Sequence, residues 1–170
     1  MQPMASRLIR IGRSRTGLGL FAIKPIRRRD YIATYRGRRL SDKEAERYEE
    51  RGARYLFVVN KRCTIDGSPR WNLARYINHS CRPNAEAVGR NGGIVFIASR
   101  RIEPDEEITI DYGREYYLYF VENGGCQCEP CRAKAARRRR KMRLARKGRQ
   151  PQRKQAATRG ARQSPRRKKA

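Results

Sequence analysis

Residues 75–86 read RYINHSCRPNAE. They hold His79, the one histidine of the chain, with Cys81 two residues on. Such a pair suits two chemistries: a nucleophile beside its base, or half of a metal site.

The charge of the chain is uneven. Its 170 residues carry a net +27, yet residues 133–170 alone hold 18 Lys or Arg and no acid, leaving +9 on the first 132. The length fits one domain with extra chain. The tail has almost nothing to bury and is expected to be disordered on its own. No apolar run approaches the ~20 residues of a membrane span, and the N-terminal MQPMASRLIRIGR lacks the apolar core of a secretion signal. An intracellular protein without membrane association is expected, its five cysteines reduced and available for metal or catalysis.

Short β-rich pieces alternate with turns rich in Gly, Pro and Asn. Strands are expected at Leu8–Ile11, Gly19–Ala22, Tyr31–Tyr35, Tyr55–Val59, Thr64–Asp66, Ile94–Ala98 and Glu107–Ile110. A helix is expected at Asp42–Arg51, where Ser41 and Glu44 form a capping-box pattern and Gly52 supplies the stop. A second short helix is expected at Glu115–Glu122. The long strand–helix alternation of a doubly wound fold is missing, so the body reads as mostly β with short helices. In AKAARRRRKMRLARKGRQ, Ala, Arg, Lys, Leu and Met favour a basic helix, while like charges oppose it until an acidic partner arrives.

Three further motifs carry chemistry. Gly17, Leu18, Gly19, Leu20, Phe21 and Ala22 fit a loose G-x-G-x-x-A pattern, but Lys24–Pro25 follows and no helix opens to face a pyrophosphate. The spacing suits either a close backbone approach to a ligand or a tight turn between strands. Cys126, Cys128 and Cys131 form C-x-C-x-x-C, which suits zinc but is one ligand short of a tetrahedron. Cys81, Cys63 or His79 completes it. Finally, EEITIDYGREYY ends a strand in Asp111–Tyr112.

The order and spacing of GLGLFA, RYINHSCRPNAE, EEITIDYG and C-x-C-x-x-C resemble the SET-domain protein lysine methyltransferases. The resemblance covers roughly residues 5 to 132, in the compact form with post-SET cysteines. It implies a SET domain at 5–114, a post-SET zinc-binding segment at 115–132 and a basic disordered tail at 133–170. The implied fold is a SET-type β-clip in which the Asn-His-Ser-Cys and Asp-Tyr segments form a pseudoknot. Binding of S-adenosyl-L-methionine is implied for Gly17, Leu18, Gly19, Leu20, Arg75, Asn78 and His79. Tyr112 is implied as the catalytic tyrosine, with Tyr35 lining the lysine channel. Zn2+ is implied on Cys81, Cys126, Cys128 and Cys131, leaving Cys63 as an ordinary cysteine. Ile110 stands where the family commonly has Phe or Tyr, at a position that sets how many methyl groups are added.

The expected function is therefore an S-adenosylmethionine-dependent protein-lysine N-methyltransferase acting on histone-like or other basic nucleic-acid-associated proteins. Residues 133–170 are expected to bind nucleic acid through phosphate, in or near chromatin or a nucleoid. The competing class is a non-catalytic, zinc-stabilised nucleic-acid-binding protein on the same scaffold. RKQAATRGARQSP also resembles part of a core histone tail, which makes Lys154 a possible self-substrate.

Overall fold

The computed structural model describes residues 8–113 and 126–148. The chain divides into two units, residues 1–135 and 136–170. The first is built of three small sheets.

β1 (Ile9–Ser14) turns back at Arg15–Thr16 into β2 (Gly17–Ala22), pairing Ile9 with Ala22 through Ser14 with Gly17. The Gly-x-Gly run is thus itself a strand, and the turn precedes it. β3 (Tyr31–Tyr35), β8 (Ala85–Arg90) and β9 (Gly93–Ala98) make a second sheet with β9 in the centre. β4 (Arg38–Leu40), β5 (Leu56–Asn60) and β6 (Cys63–Asp66) make the third, with β6 central. A 3-10 turn at Leu73–Tyr76 leads into β7 (Asn78–His79). β7 lies parallel to β10 (Glu107–Ile110), which continues the first sheet in the order β1-β2-β10-β7. The Asn-His-Ser-Cys and Asp-Tyr segments, 30 residues apart, are therefore neighbours on one ladder.

The core follows from period-two burial in β9, where Ile94, Phe96 and Ala98 point inward. Phe96 is fully buried and meets Leu20, Ile32 and Ile108 in one apolar cluster. Burying a side chain of that size stabilises by about 1.5–3 kcal/mol.

α1 (Asp42–Glu50) ends one residue short of the expected Arg51, which caps it. The Glu44 carboxylate accepts both the backbone N–H and the hydroxyl of Ser41 at 2.9 Å. At the other end Gly52 takes φ +78°, its N–H reaching the Glu49 carbonyl and that of Ala53 the Tyr48 carbonyl. This double bond pattern needs a left-handed residue, which glycine adopts without strain.

The body is mostly strand with short helices, as expected. Three strands were not anticipated: β4, β7 and β8. The AEAVGR of β8 lacks an apolar stripe, and its β-structure comes from pairing along all six residues of β9. The tail expectation is corrected in part. α2 (Glu129–Gly148) covers residues 133–148 in helix, because Ala, Arg, Lys, Leu and Met are strong helix formers. The expected helix at Glu115–Glu122, residues 149–170 and with them Lys154 lie outside the described residues. Among the described residues no helix is long and apolar enough to cross a membrane.

Candidate active site and metal centre

β7 organises the site. Asn78 pairs with Thr109 and His79 with Ile110, and the Ser80 N–H continues the ladder to the Ile110 carbonyl at 2.9 Å. The Asn78 amide Nδ2 donates to Glu107 Oε1 at 2.7 Å and to the Leu18 carbonyl at 3.1 Å. One side chain thus joins β7, β10 and β2. Both acceptors sit on Nδ2, which fixes the amide's orientation and commits Oδ1 to the role of acceptor.

Gly19 lies close beneath this junction. A Cβ there would lie 2.5 Å from Glu107 Oε1 and 3.2 Å from Asn78 Nδ2. Gly17, at φ +124°, occupies backbone space that side-chain-bearing residues rarely enter. The Gly-x-Gly strand therefore offers its backbone to the cleft, with Leu18 half exposed beside it.

Below the ladder, Asn84 is buried and acts as a staple. Its amide donates to the Glu107 carbonyl at 2.8 Å and to Glu106 Oε1 at 2.9 Å, and its oxygen accepts the Thr109 N–H at 2.8 Å. The final Asn of Cys-x-Pro-Asn thus clamps β10 through the Glu107 carbonyl and the Thr109 N–H. Neither this asparagine nor Glu107 has a role in the sequence pattern. Their signal was the fixed spacing to His79 and Tyr112.

His79 is largely buried. Its Nδ1 accepts the Tyr112 N–H at 3.3 Å and lies 3.6 Å from Asp111 Oδ1. Burial lowers its pKa, with Asp111 partly opposing, so the ring is neutral. With Nδ1 accepting, the proton sits on Nε2, 3.5 Å from Cys81 Sγ.

The aromatic wall is equally specific. Tyr112 donates its hydroxyl to the Ile77 carbonyl at 2.6 Å and packs 5.5 Å from the His79 ring. Tyr35 is buried, donates to the Tyr55 carbonyl at 2.8 Å, and packs 5.2 Å from Phe57 and 6.2 Å from Phe96. Its ring lies flush on Gly67, where any Cβ would overlap it. Arg75 stacks 3.8 Å above the Tyr55 ring and donates to the Ser68 carbonyl. Its Nε is buried with no hydrogen-bond partner among the described residues. Ile110 is buried in the strand leading to Tyr112.

These groups meet in one cleft of about 1040 Å³, lined among others by Leu18, Tyr35, Asn78, Ile110 and Tyr112. That is the size of a cofactor-binding site. Arg75 and His79 line the same cleft.

Cys81, Cys126, Cys128 and Cys131 bring four sulfur atoms within 4.8 Å of one another. Cys81 Sγ lies 3.9 Å from that of Cys126 and 3.6 Å from that of Cys131. A tetrahedron with Zn–S bonds near 2.3 Å has sulfur–sulfur edges of roughly 3.8 Å. The donor set therefore fits zinc, and Cys63, on β6, stands outside it. The thiols are unequal. Burial, then hydrogen bonds with the other three, raises Cys81, and burial lifts Cys126 to about 11. At Cys128 burial also pushes up, but the N–H groups of Cys81 and Cys131 and the neighbouring thiols outweigh it, holding it at about 7.

Small β-sheets thus bring a glycine-rich strand, an Asn-His pair and an Asp-Tyr end to one cleft, beside a four-thiol cluster that could hold a metal ion. The SET domain family matches residues 17–113, and the chain belongs to that family. It is 37% identical over 120 residues to a histone-lysine N-methyltransferase, H3 lysine-4 specific, of Eremothecium gossypii, covering 65% of this chain and 12% of that protein. The protein of the same name from Saccharomyces cerevisiae is also 37% identical over 120 residues, covering 65% and 11%. The chain thus spans about an eighth of the length of these relatives. Among solved structures, an active polycomb repressive complex 2 in the basal state matches with a TM-score of 0.57 and 31% identity, covering 62% of this chain and 15% of that one.

Proposed function

We propose that the chain is an S-adenosylmethionine-dependent protein-lysine N-methyltransferase acting on histone-like or other basic, nucleic-acid-associated proteins. The observation that carries this reading is the shared cleft, where Leu18 of the Gly-x-Gly strand, Asn78, His79, Ile110, Tyr112 and Tyr35 meet. The relatives named for histone-lysine methylation support the substrate class. S-adenosylmethionine, when bound, supplies a methyl group activated by a sulfonium.

Leu18, Arg75, Asn78 and His79, which line the cleft, would hold it, with Gly17 and Gly19 flanking Leu18 on β2; Leu20, expected beside them, is buried in the core. Asn78 Oδ1 offers a fixed acceptor, and the Leu18 segment offers backbone. A substrate lysine, with an ordinary pKa near ~10.4, must arrive neutral to react. The buried wall of Tyr35, Phe57 and Phe96 disfavours its ammonium form by desolvation. Tyr112, braced by the Ile77 carbonyl and His79, orients the amine. Holding both reactants in line supplies much of the acceleration, so no strong base is needed. His79 is neutral and engaged by the Tyr112 N–H, consistent with a positioning role.

Zn2+ on Cys81, Cys126, Cys128 and Cys131 has four protein ligands and no open position, so its role is structural. The basic segment 133–170 binds nucleic acid, placing the enzyme at chromatin or a nucleoid.

The test uses tritiated cofactor with core histones and other basic proteins. Tyr112→Phe is expected to lower labelling by about 10²–10³-fold, with melting temperature recorded because the Ile77 carbonyl loses its donor. Equal labelling by wild type and variant on every substrate would overturn the reading. Ile110 leaves room and no hydroxyl beside the amine, so more than one methyl is added. Ile110→Tyr should shift products toward monomethyl-lysine by mass spectrometry, and an unchanged product ladder counts against that role.

A further inference from the structure

α2 presents a surface that methyl transfer does not use. From Arg132 to Arg146, nine side chains are Lys or Arg and none is acidic, and residues 133–146 are all exposed. At 100° per residue, Arg132, Arg140, Lys141, Arg138 and Arg146 point about 0°, 80°, 180°, 240° and 320° around the axis. Charge therefore surrounds the helix. Met142 and Leu144, each 58% exposed, form no stripe on which another element could pack.

Such a helix is opposed by its own side chains. Arg137 with Lys141, and Arg139 with Arg143, are like charges four residues apart on one face. A polyanion removes that repulsion, but a flat acidic surface neutralises only one side. Charge on every side calls for anions on at least two. The major groove of B-form DNA is about 12 Å wide between two phosphate walls, and an α-helix with side chains is about 10–12 Å across. The major groove of A-form RNA is too deep and narrow for side chains to read.

We propose that α2 seats in the major groove of duplex DNA, its flanks neutralising phosphates of both strands. The inference rests on the helix alone and is independent of methyl transfer.

The discriminating experiment separates helix from charge in the full chain. Met142→Pro removes an N–H and breaks the helix inside the basic run while keeping every charge. Met142→Ala keeps both helix and charge. Binding is measured to a fluorescent DNA duplex, the same sequence as duplex RNA, and heparin, between about 50 and 200 mM salt. Wild type and Met142→Ala should bind DNA with a log–log salt slope of about −4 to −5, corresponding to about five neutralised phosphates. Met142→Pro should lose at least about tenfold on DNA yet stay within about twofold on heparin. Circular dichroism should gain helical signal when DNA, and not RNA, is added. The proposal is overturned if Met142→Pro binds DNA like wild type, if heparin binding falls as far as DNA binding, or if duplex RNA is bound as tightly as DNA.

Discussion

Residues 8–113 and α2 meet water in opposite ways. The first region orders itself by hiding side chains: Leu20, Ala22, Ile32, Phe96, Ala98, Ile102 and Ile108 are all fully buried. Its sheets have short strands, and β1, β2, β3, β6, β8, β9 and β10 each send buried side chains into a common cluster. Beyond Arg132 the helix hides nothing: every side chain from 133 to 146 is exposed. Its order comes from residue propensity and awaits a counter-charge. Substitution costs should therefore be large and salt-insensitive in the body, small and salt-sensitive in the helix.

That contrast breaks most sharply at Phe96. Phe96→Ala removes a fully buried ring that meets Tyr35 and Phe57 edge-on. The expected loss is about 3–5 kcal/mol in urea unfolding, a large part of a small domain's stability; a loss under about 1 kcal/mol would mean the core is not where the burial places it. Next, Cys131→Ser takes one sulfur from the four-thiol cluster, and zinc content should fall from near one per chain to near none by metal analysis. A variant that keeps its zinc would assign the metal to other ligands. Third, Glu107→Gln leaves the Asn78 amide a weaker acceptor. A charged hydrogen bond contributes about 1.5–3 kcal/mol, so the cofactor KM should rise about tenfold with kcat within about threefold. A change confined to kcat would place Glu107 elsewhere in the cycle. Last, Leu144→Ala should change melting by no more than about 0.5 kcal/mol. A larger effect would mean that α2 packs on something.

Much of this contrast is legible in the residues. Ile94, Phe96 and Ala98 alternate with Val95 and Ile97 in a run that only a strand satisfies, and Ser41 with Glu44 announces α1. What escapes reading is order imposed by a partner. Asn78–His79 is two residues long and has no strand pattern; β10 makes it one. AEAVGR is made a strand by β9. The Gly-x-Gly run resembles a turn, yet lies in β2 because β1 pairs with it residue by residue, while β10 holds the next two residues, Leu20 and Phe21. In the site, the cysteine spacing announces a metal but leaves Cys63, Cys81 and His79 equal as the fourth donor. Resemblance to the family singles out Cys81, and the four sulfur positions agree. Glu107 and Asn84 escaped because their work is to hold other side chains, and that leaves no mark beyond spacing.

The thiol cluster also sets a schedule. Cys81 meets partners that lie 45 and 50 residues further along the chain. At roughly 5–20 residues per second of synthesis, Cys81 leaves the ribosome about 2–10 seconds before its partners. Asn78 likewise waits for Glu107 and Thr109. A nascent chain therefore carries its glycine-rich strand and its only histidine for seconds without a closed site. Truncated or stalled chains ending before residue 126 lack the sulfur set that closes the clip.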